Sequence, residues 1–256
     1  MTDSFFTAFN IRPTIHSLPD HFTLMGDEPH PLCILAAAEL QQYLTAQQEW
    51  SHNFGLSDGT EGVIIGKMFG VLVVQTAQNE IGYLAAFSGK LAGANHHTKF
   101  VPPVFDSLTE NSFLNKGMAE LARINQQIAQ LEELKPEAYE EDIIHLKKVR
   151  KNNSIALQNE LFESYHFLNQ AGNEKSLNEI FAAAFYKNPP SGAGECAGPK
   201  LLQYAFQHQM RPLALAEFWW GQSPKSDHWQ HGHFYPCCKE KCEPILAHML
   251  TGIDQV

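Results

Sequence analysis

Four of the five cysteines in this 256-residue chain fall in its last third, at Cys196, Cys237, Cys238 and Cys242. Cys196 closes the loop PPSGAGE and opens the helix-like run AGPKLLQYAF. The other three follow HGHFYP and open the run PILAHML. Thiolates are soft metal ligands, and two loops that open helices can bring them together across an intervening strand. A closed structural zinc needs four donors, and Cys196, Cys238 and Cys242 with His231 or His233 would supply them. Cys238 and Cys242 would share a face if their helix had already begun. The CC-x3-C spacing matches no standard zinc motif, so buried free thiols are the competing reading, Cys being among the most buried residue types.

Other residue groups carry weaker chemical signals. In PPSGAGECAGPK, Gly192 and Gly194 followed by Lys200 at a helix start could cradle an anion. The Gly-Lys-Ser/Thr spacing of a phosphate-binding loop is absent, and a tight strand-to-helix turn explains the glycines equally. Lys147, Lys148, Arg150 and Lys151 in HLKKVRKNN form a dense basic run. They could follow an RNA backbone, or simply form a solvated helix face. His228, His231 and His233 cluster, as ligands, pH-sensitive groups or ordinary loop side chains. Trp219, Trp220 and Trp229 could stack on a base or fill a core. Ser88, in FSGK, would need a base and an oxyanion hole to act as a nucleophile, and neither is visible.

The elements that must position these residues can be read from periodicity. Residues 1–30 have no clear period. Pro31 to Leu44 is helical, with Leu32, Leu35, Ala36, Leu40 and Tyr43 on helical spacing. GVIIGKMFGVLVVQ and IGYLAAFSGK, joined by TAQNE, form an antiparallel hairpin, and residues 89–106 a punctuated loop. Residues 107–172 carry two long antiparallel helices interrupted at Pro136 and projecting as a hairpin. SLNEIFAAAF is a short helix capped by Ser176 and Glu179. PLALAEFWWG is a central strand, and a last helix runs from Pro236 to Thr251–Gly252. The organisation is then an α/β domain of the α+β type, a small mixed sheet flanked by helices. It is split into residues 1–106 and 173–256 by the inserted hairpin at 107–172.

Composition bounds the function. The chain is 44% hydrophobic, 18% charged, and has a formal net charge of −10. Nucleic-acid affinity comes mostly from neutralising phosphates, so this chain does not grip RNA by bulk charge. No run approaches the ~20 apolar residues of a membrane helix, and the start lacks a signal-peptide pattern, so a cytoplasmic location is expected. An odd number of cysteines in such a chain argues against a disulfide framework.

With the hairpin removed, the order helix, strand, strand, helix, strand, helix resembles the cytidine-deaminase-like fold. In that fold a His or Cys followed two residues later by Glu opens one helix, a Pro-Cys-x-x-Cys opens the next, and zinc lies between. Cys196 matches the first ligand. Pro236-Cys237 resembles the start of the second motif, with Cys242 as a late partner. The acid/base Glu position is Gly198, however, and the nearest carboxylate, Glu195, precedes the cysteine. Only the topology is carried over.

The segments HPLCILAAAELQQYL, GKMFGVLVVQ, GYLAAFSGK, FVPPVFD, PPSGAGECAGPKLLQYAF, LALAEFWWG and HGHFYPCCKEKCEPILAHML together resemble the N-terminal extension of long bacterial RluA-type pseudouridine synthases. There the extension precedes a catalytic domain whose Arg-Leu-Asp motif supplies the essential Asp. No Arg-Leu-Asp occurs in this chain, which runs to LTGIDQV. The resemblance implies an N-terminal portion without catalytic residues, an accessory domain that assists recognition of tRNA or rRNA beside a C-terminal synthase domain. It requires no cofactor, and a structural zinc is the only metal in view. The alternative function is a zinc-binding, deaminase-like enzyme acting alone. A third reading is a dimerisation unit with the helical hairpin as its seam.

Overall fold

The computed structural model describes residues 3–11, 13–14, 18–26, 28–57, 61–134 and 136–253. The chain forms two compact units, one from residues 1–104 with 166–256 and one from 105–165.

The first unit is built on a mixed sheet. Strands β3 (Lys67–Gln75) and β4 (Ile81–Phe87) pair antiparallel as the expected hairpin. Its turn closes with Thr76 N donating to Glu80 O at 2.9 Å. Strand β7 (Arg211–Trp220) lies antiparallel to β3 on the other side and is central as expected. Two short strands extend the sheet, β1 (Thr7–Ala8) against β4 and β2 (Thr23–Leu24), parallel, against β7. They lie in the stretch that shows no period, because two-residue pairings are too short to leave one. Strand β8 (Phe234–Tyr235) pairs with β7 at Glu217 and Phe218.

Period-two alternation assigns the faces of β7. Ala214, Ala216, Phe218 and Trp220 join the core with helix α1 (Pro31–Ala46), which contributes Leu32, Ala36 and Leu40. Leu215 and Glu217 point to the opposite face, where helix α5 (Ala197–Gln207) packs. That packing is close. A Cβ at Gly70 of β3 would stand 2.9 Å from Ala197 Cβ, so glycine there lets the first turn of α5 sit directly on the sheet. At the far end, the hairpin β5 (His166–Leu168) and β6 (Glu174–Ser176) leads into helix α4 (Leu177–Ala183). The capping box forms there, Ser176 Oγ accepting from Glu179 N at 3.2 Å and Glu179 Oε2 accepting from Ser176 N at 2.7 Å. Helix α6 (Glu243–Met249) completes the unit.

The second unit consists of helices α2 (Phe113–Leu134) and α3 (Glu140–Glu163), joined through a 3-10 turn at Pro136–Ala138. Ile124, Ile128 and Ile143 are buried between them. The cross-helix pairs Glu132–Lys147 and Asn125–Arg150 run in opposite sequence directions, so the helices are antiparallel. A Cβ at Gly117 would lie 2.5 Å from Leu157 Cδ1, which marks the closest approach. The second helix ends at Glu163. Residues 166–168, which periodicity assigns to that helix, instead form β5, where Phe167 is fully buried in the first unit. No helix among the described residues is long and apolar enough to cross a membrane.

Candidate metal centre

Cys196 is the residue immediately before α5, in an extended conformation (φ −72°, ψ 154°) that turns the chain into the helix. Gly192 (φ 76°) and Gly194 (φ 90°) provide the left-handed turns that bring it there. The loop is tied to the sheet by Gly89 N donating to Glu195 O at 2.9 Å.

Cys238 and Cys242 come from the segment between β8 and α6. The expected helix start at Pro236 is not observed: α6 begins at Glu243, with Pro244 in its first turn. Pro244 occupies the first-turn position that tolerates a missing N–H, so it is Pro244 that marks the helix start. Cys238 and Cys242 are therefore brought together by a turn, not by a helix face. The N–H groups of Cys242 and Glu243 donate to Cys238 O at 3.2 and 3.1 Å.

The two thiols stand 3.4 Å apart. With Cys196 they form a set whose sulfur atoms all lie within 4.8 Å of one another, the only such His/Cys/Asp/Glu group among the described residues. All three are free thiols, Cys242 buried, Cys196 half-buried and Cys238 exposed. The Cys238 thiol is pulled well down, first by hydrogen bonding with Cys196 and then with Cys242. Cys196 is pushed up, chiefly by its hydrogen bond to Cys238. Cys242 is pushed up by hydrogen bonds with Cys196 and Cys238. A divalent metal would bind such a set by displacing the thiol protons it carries. The group could hold a metal ion through three sulfur donors.

Glu217 is the site residue that motif reasoning missed. It lies on β7 and is only 5% exposed. Its Oε1 accepts from Gly198 N at 2.9 Å, so the carboxylate lies beside the position where a residue-198 side chain would begin. Burial pushes its carboxyl up to about 7, against the lowering effect of the Gly198 hydrogen bond. Oε2 has no hydrogen-bond partner among the described residues. A signal was present in the sequence, for Glu217 is the single charge within LALAEFWW. Glu217 and the three cysteines line one open cavity of about 200 Å³ together with Met68, Ser88, Trp219, Trp229 and Pro236.

The remaining candidates divide. His231 and His233 do not join the thiol set. His231 Nδ1 instead accepts from Gly221 N at 3.1 Å, and its ring packs 4.3 Å from Trp220. His233 is held by its backbone, which pairs with Trp219 and Gln230. Cys237 lies outside the set and is pushed up to about 11 by burial. The anion cradle fails at Lys200, which is 3% exposed. Its Nζ donates to Phe87 O at 3.1 Å and Gly89 O at 3.2 Å, and lies 3.7 Å from Glu195. The ammonium that would meet an anion closes a loop instead, and Gly192 and Gly194 serve the turn.

Trp219 and Trp229 stack at 5.2 Å along the cavity, whereas Trp220 belongs to the core. Ser88 lines the same cavity as Glu217. In the second unit, Lys147 pairs with Glu132 at 2.8 Å and Arg150 donates to Asn125 at 3.1 Å. Lys148 and Lys151 are exposed and have no partner among the described residues. Comparison with known proteins adds no relative: no family model, curated protein or solved structure matches the chain.

Proposed function

We propose that this chain is a zinc-binding accessory module of an RluA-type RNA pseudouridine synthase. It contributes no isomerisation chemistry of its own and assists recognition of tRNA or rRNA beside an Arg-Leu-Asp-bearing catalytic domain. The family part of this reading rests on the set of sequence motifs, and the accessory part on the missing Arg-Leu-Asp. The metal part rests on one observation, the convergence of Cys196, Cys238 and Cys242 from two separate loops. Exposed Lys148 and Lys151 are the groups that would follow an RNA backbone, which fits a point contact in an acidic chain better than a broad basic face. The purified chain should carry one zinc and form no pseudouridine on tRNA or rRNA transcripts. Pseudouridine formed by this chain alone would overturn the accessory reading, and a metal-free chain after refolding with zinc would overturn the metal centre.

One observation favours a second reading, a metal-dependent hydrolase of the deaminase-like class acting on its own. The deaminase-like motif lacks its glutamate because residue 198 is glycine, yet Glu217 brings a carboxylate to the Gly198 backbone from the neighbouring strand. Zinc held by three protein donors keeps a coordination position open. A carboxylate across a small cavity from such a position is placed to take a proton from water. Release of ammonia from free amino-heterocycles by the zinc-loaded chain, abolished in Glu217→Gln, would support this reading over the first. No release under full zinc loading would remove it.

A further inference from the structure

Of the three clustered thiols, one is open to solvent and two stand behind it. Cys238 is exposed, Cys196 is half-buried and Cys242 is buried. We infer that Cys238 and Cys242 form a reversible oxidation site for peroxides, a thiol–disulfide pair whose closure empties the metal centre. Control of the metal rests on the metal reading of the three thiols, and the disulfide itself stands on the geometry alone.

Distance and backbone select the pair. Cys238 Sγ and Cys242 Sγ are 3.4 Å apart, with only three residues between them in sequence. Both sit on one turn, where Cys238 O accepts from the N–H groups of Cys242 and Glu243 at 3.2 and 3.1 Å. A turn closed by a hydrogen bond from residue i+4 to residue i sets the two α-carbons about 6 Å apart. Disulfides bridge α-carbons roughly 4.4–6.8 Å apart, so the two sulfurs can be joined with the turn intact. A bond from Cys238 to Cys196 would instead cross-link the loop before α5 to the segment after β8. Cys33 is buried in the core with α1, and Cys237 lies outside the sulfur set.

Exposure sets the order of events. A peroxide reaches Cys238 from solvent, while burial keeps it from Cys242. The Cys238 sulfur attacks one oxygen of hydrogen peroxide, the O–O bond breaks, and water leaves with the thiol proton, giving the sulfenic acid. The Cys242 sulfur then attacks the Cys238 sulfur. The S–O bond breaks as the S–S bond forms, and a second water carries away the Cys242 proton. Two thiols lose two electrons, and one peroxide becomes two waters. With metal bound the sulfurs carry no protons, and solvent supplies the two that complete the waters. The disulfide removes two of the three sulfur donors, so the metal leaves as the free cation. So short a loop gains little chain entropy from the bond, and a small dithiol reverses it.

The test treats the full reduced chain, zinc-loaded and zinc-free, with about one equivalent of hydrogen peroxide. Each form should lose two free thiols per chain and two hydrogens in mass. The loaded form should release its zinc to a chromophoric chelator in step. Dithiothreitol should restore both the thiols and zinc binding. Cys237→Ser and Cys196→Ser should still form the disulfide, the second in spite of its weakened metal site. Cys238→Ser and Cys242→Ser should not. Cys238 is exposed, so its variant carries the test if the buried Cys242 variant does not fold. No thiol loss in the zinc-free chain would overturn the pair, as would mapped peptides joining Cys238 to Cys196 or Cys237. Zinc held through a peroxide treatment that closes the pair in the zinc-free chain would overturn its control of the metal. A chain that forms the disulfide and never takes up zinc would sink the metal centre and leave the oxidation site standing.

Discussion

Lys147 and Lys200 are both helix lysines bonded to oxygen, and the two units of this protein use them in opposite ways. Lys147, in α3 of the helical pair, meets Glu132 at the surface with both side chains about half exposed, 56% and 46%. Lys200, in α5 of the sheet unit, is 3% exposed and holds two backbone carbonyls of the loop that follows β4. The first bond forms between two helix surfaces whose pattern repeats along the sequence. The second joins residues 111 and 113 positions apart, and it exists only because α5 lies on the sheet. The same contrast separates the basic run of α3 from the thiol site. A surface pair in water contributes little, about 0.2–1 kcal/mol, whereas a buried polar group either finds its partner or costs several times that. The helical pair stands on its apolar seam, and the sheet unit concentrates its polar consequences in a few sealed positions.

The largest expected effect is on the metal. Cys196→Ser or Cys242→Ser should lower zinc affinity by more than about a hundred-fold, since loss of an outer partner alone costs roughly 10–100-fold. Cys237→Ser, outside the sulfur set, should retain full zinc by metal analysis. Zinc affinity should rise with pH, because the raised Cys196 and Cys242 thiols must release protons to bind it. Equal zinc loss in the Cys237 variant would erase the distinction between these thiols.

The buried acid comes next. The metal-free folded chain holds the Glu217 proton more tightly than the unfolded chain, its carboxyl having moved from 4.5 to about 7. Its contribution is fully present below pH 4.5 and is lost as pH rises through about 7, to the extent of roughly 3 kcal/mol. Urea denaturation across that window should show the loss in the wild type and a flatter profile in Glu217→Gln.

The two lysines then give the direct comparison. Lys200→Met should cost about 2 kcal/mol, because it strips the donor from Phe87 O and Gly89 O inside the protein. Lys147→Ala should change stability by no more than about 0.5 kcal/mol, as exposed pairs do. Equal costs for the two would show that burial is not what separates the units. Smallest of all, Lys148→Ala with Lys151→Ala should leave stability unchanged, and any effect should be confined to RNA binding measured by filter retention.

Much of the scaffold was legible in order of residues. Pro31 and the apolar spacing after it mark α1, the two apolar runs around TAQNE mark the β3–β4 hairpin, and Ser176 with Glu179 marks the start of α4. Each of these signals is local, a period or a cap set by neighbours within a few residues. The start of α6 was misread because two prolines compete for it, and only the turn at Cys238 shows that Pro244 opens the helix. Cys196, Cys238 and Cys242 were visible as a constellation by residue type, but neither His231 nor His233 joins them, and His231 Nδ1 accepts from Gly221 N instead.

The sequence by itself determined α1, the β3–β4 hairpin, the central place of β7, the long helical pair and the capped start of α4, and it marked the late cysteines as a group. The tertiary structure alone decided that Glu217 comes to Gly198, that Lys200 turns inward, and that Trp219 and Trp229 wall a cavity beside the thiols. The physical reason is range. Periodicity, capping and turn chemistry act between residues a few positions apart, whereas the direction in which a buried charge is satisfied depends on which distant backbone lies against it once the helix has docked on the sheet.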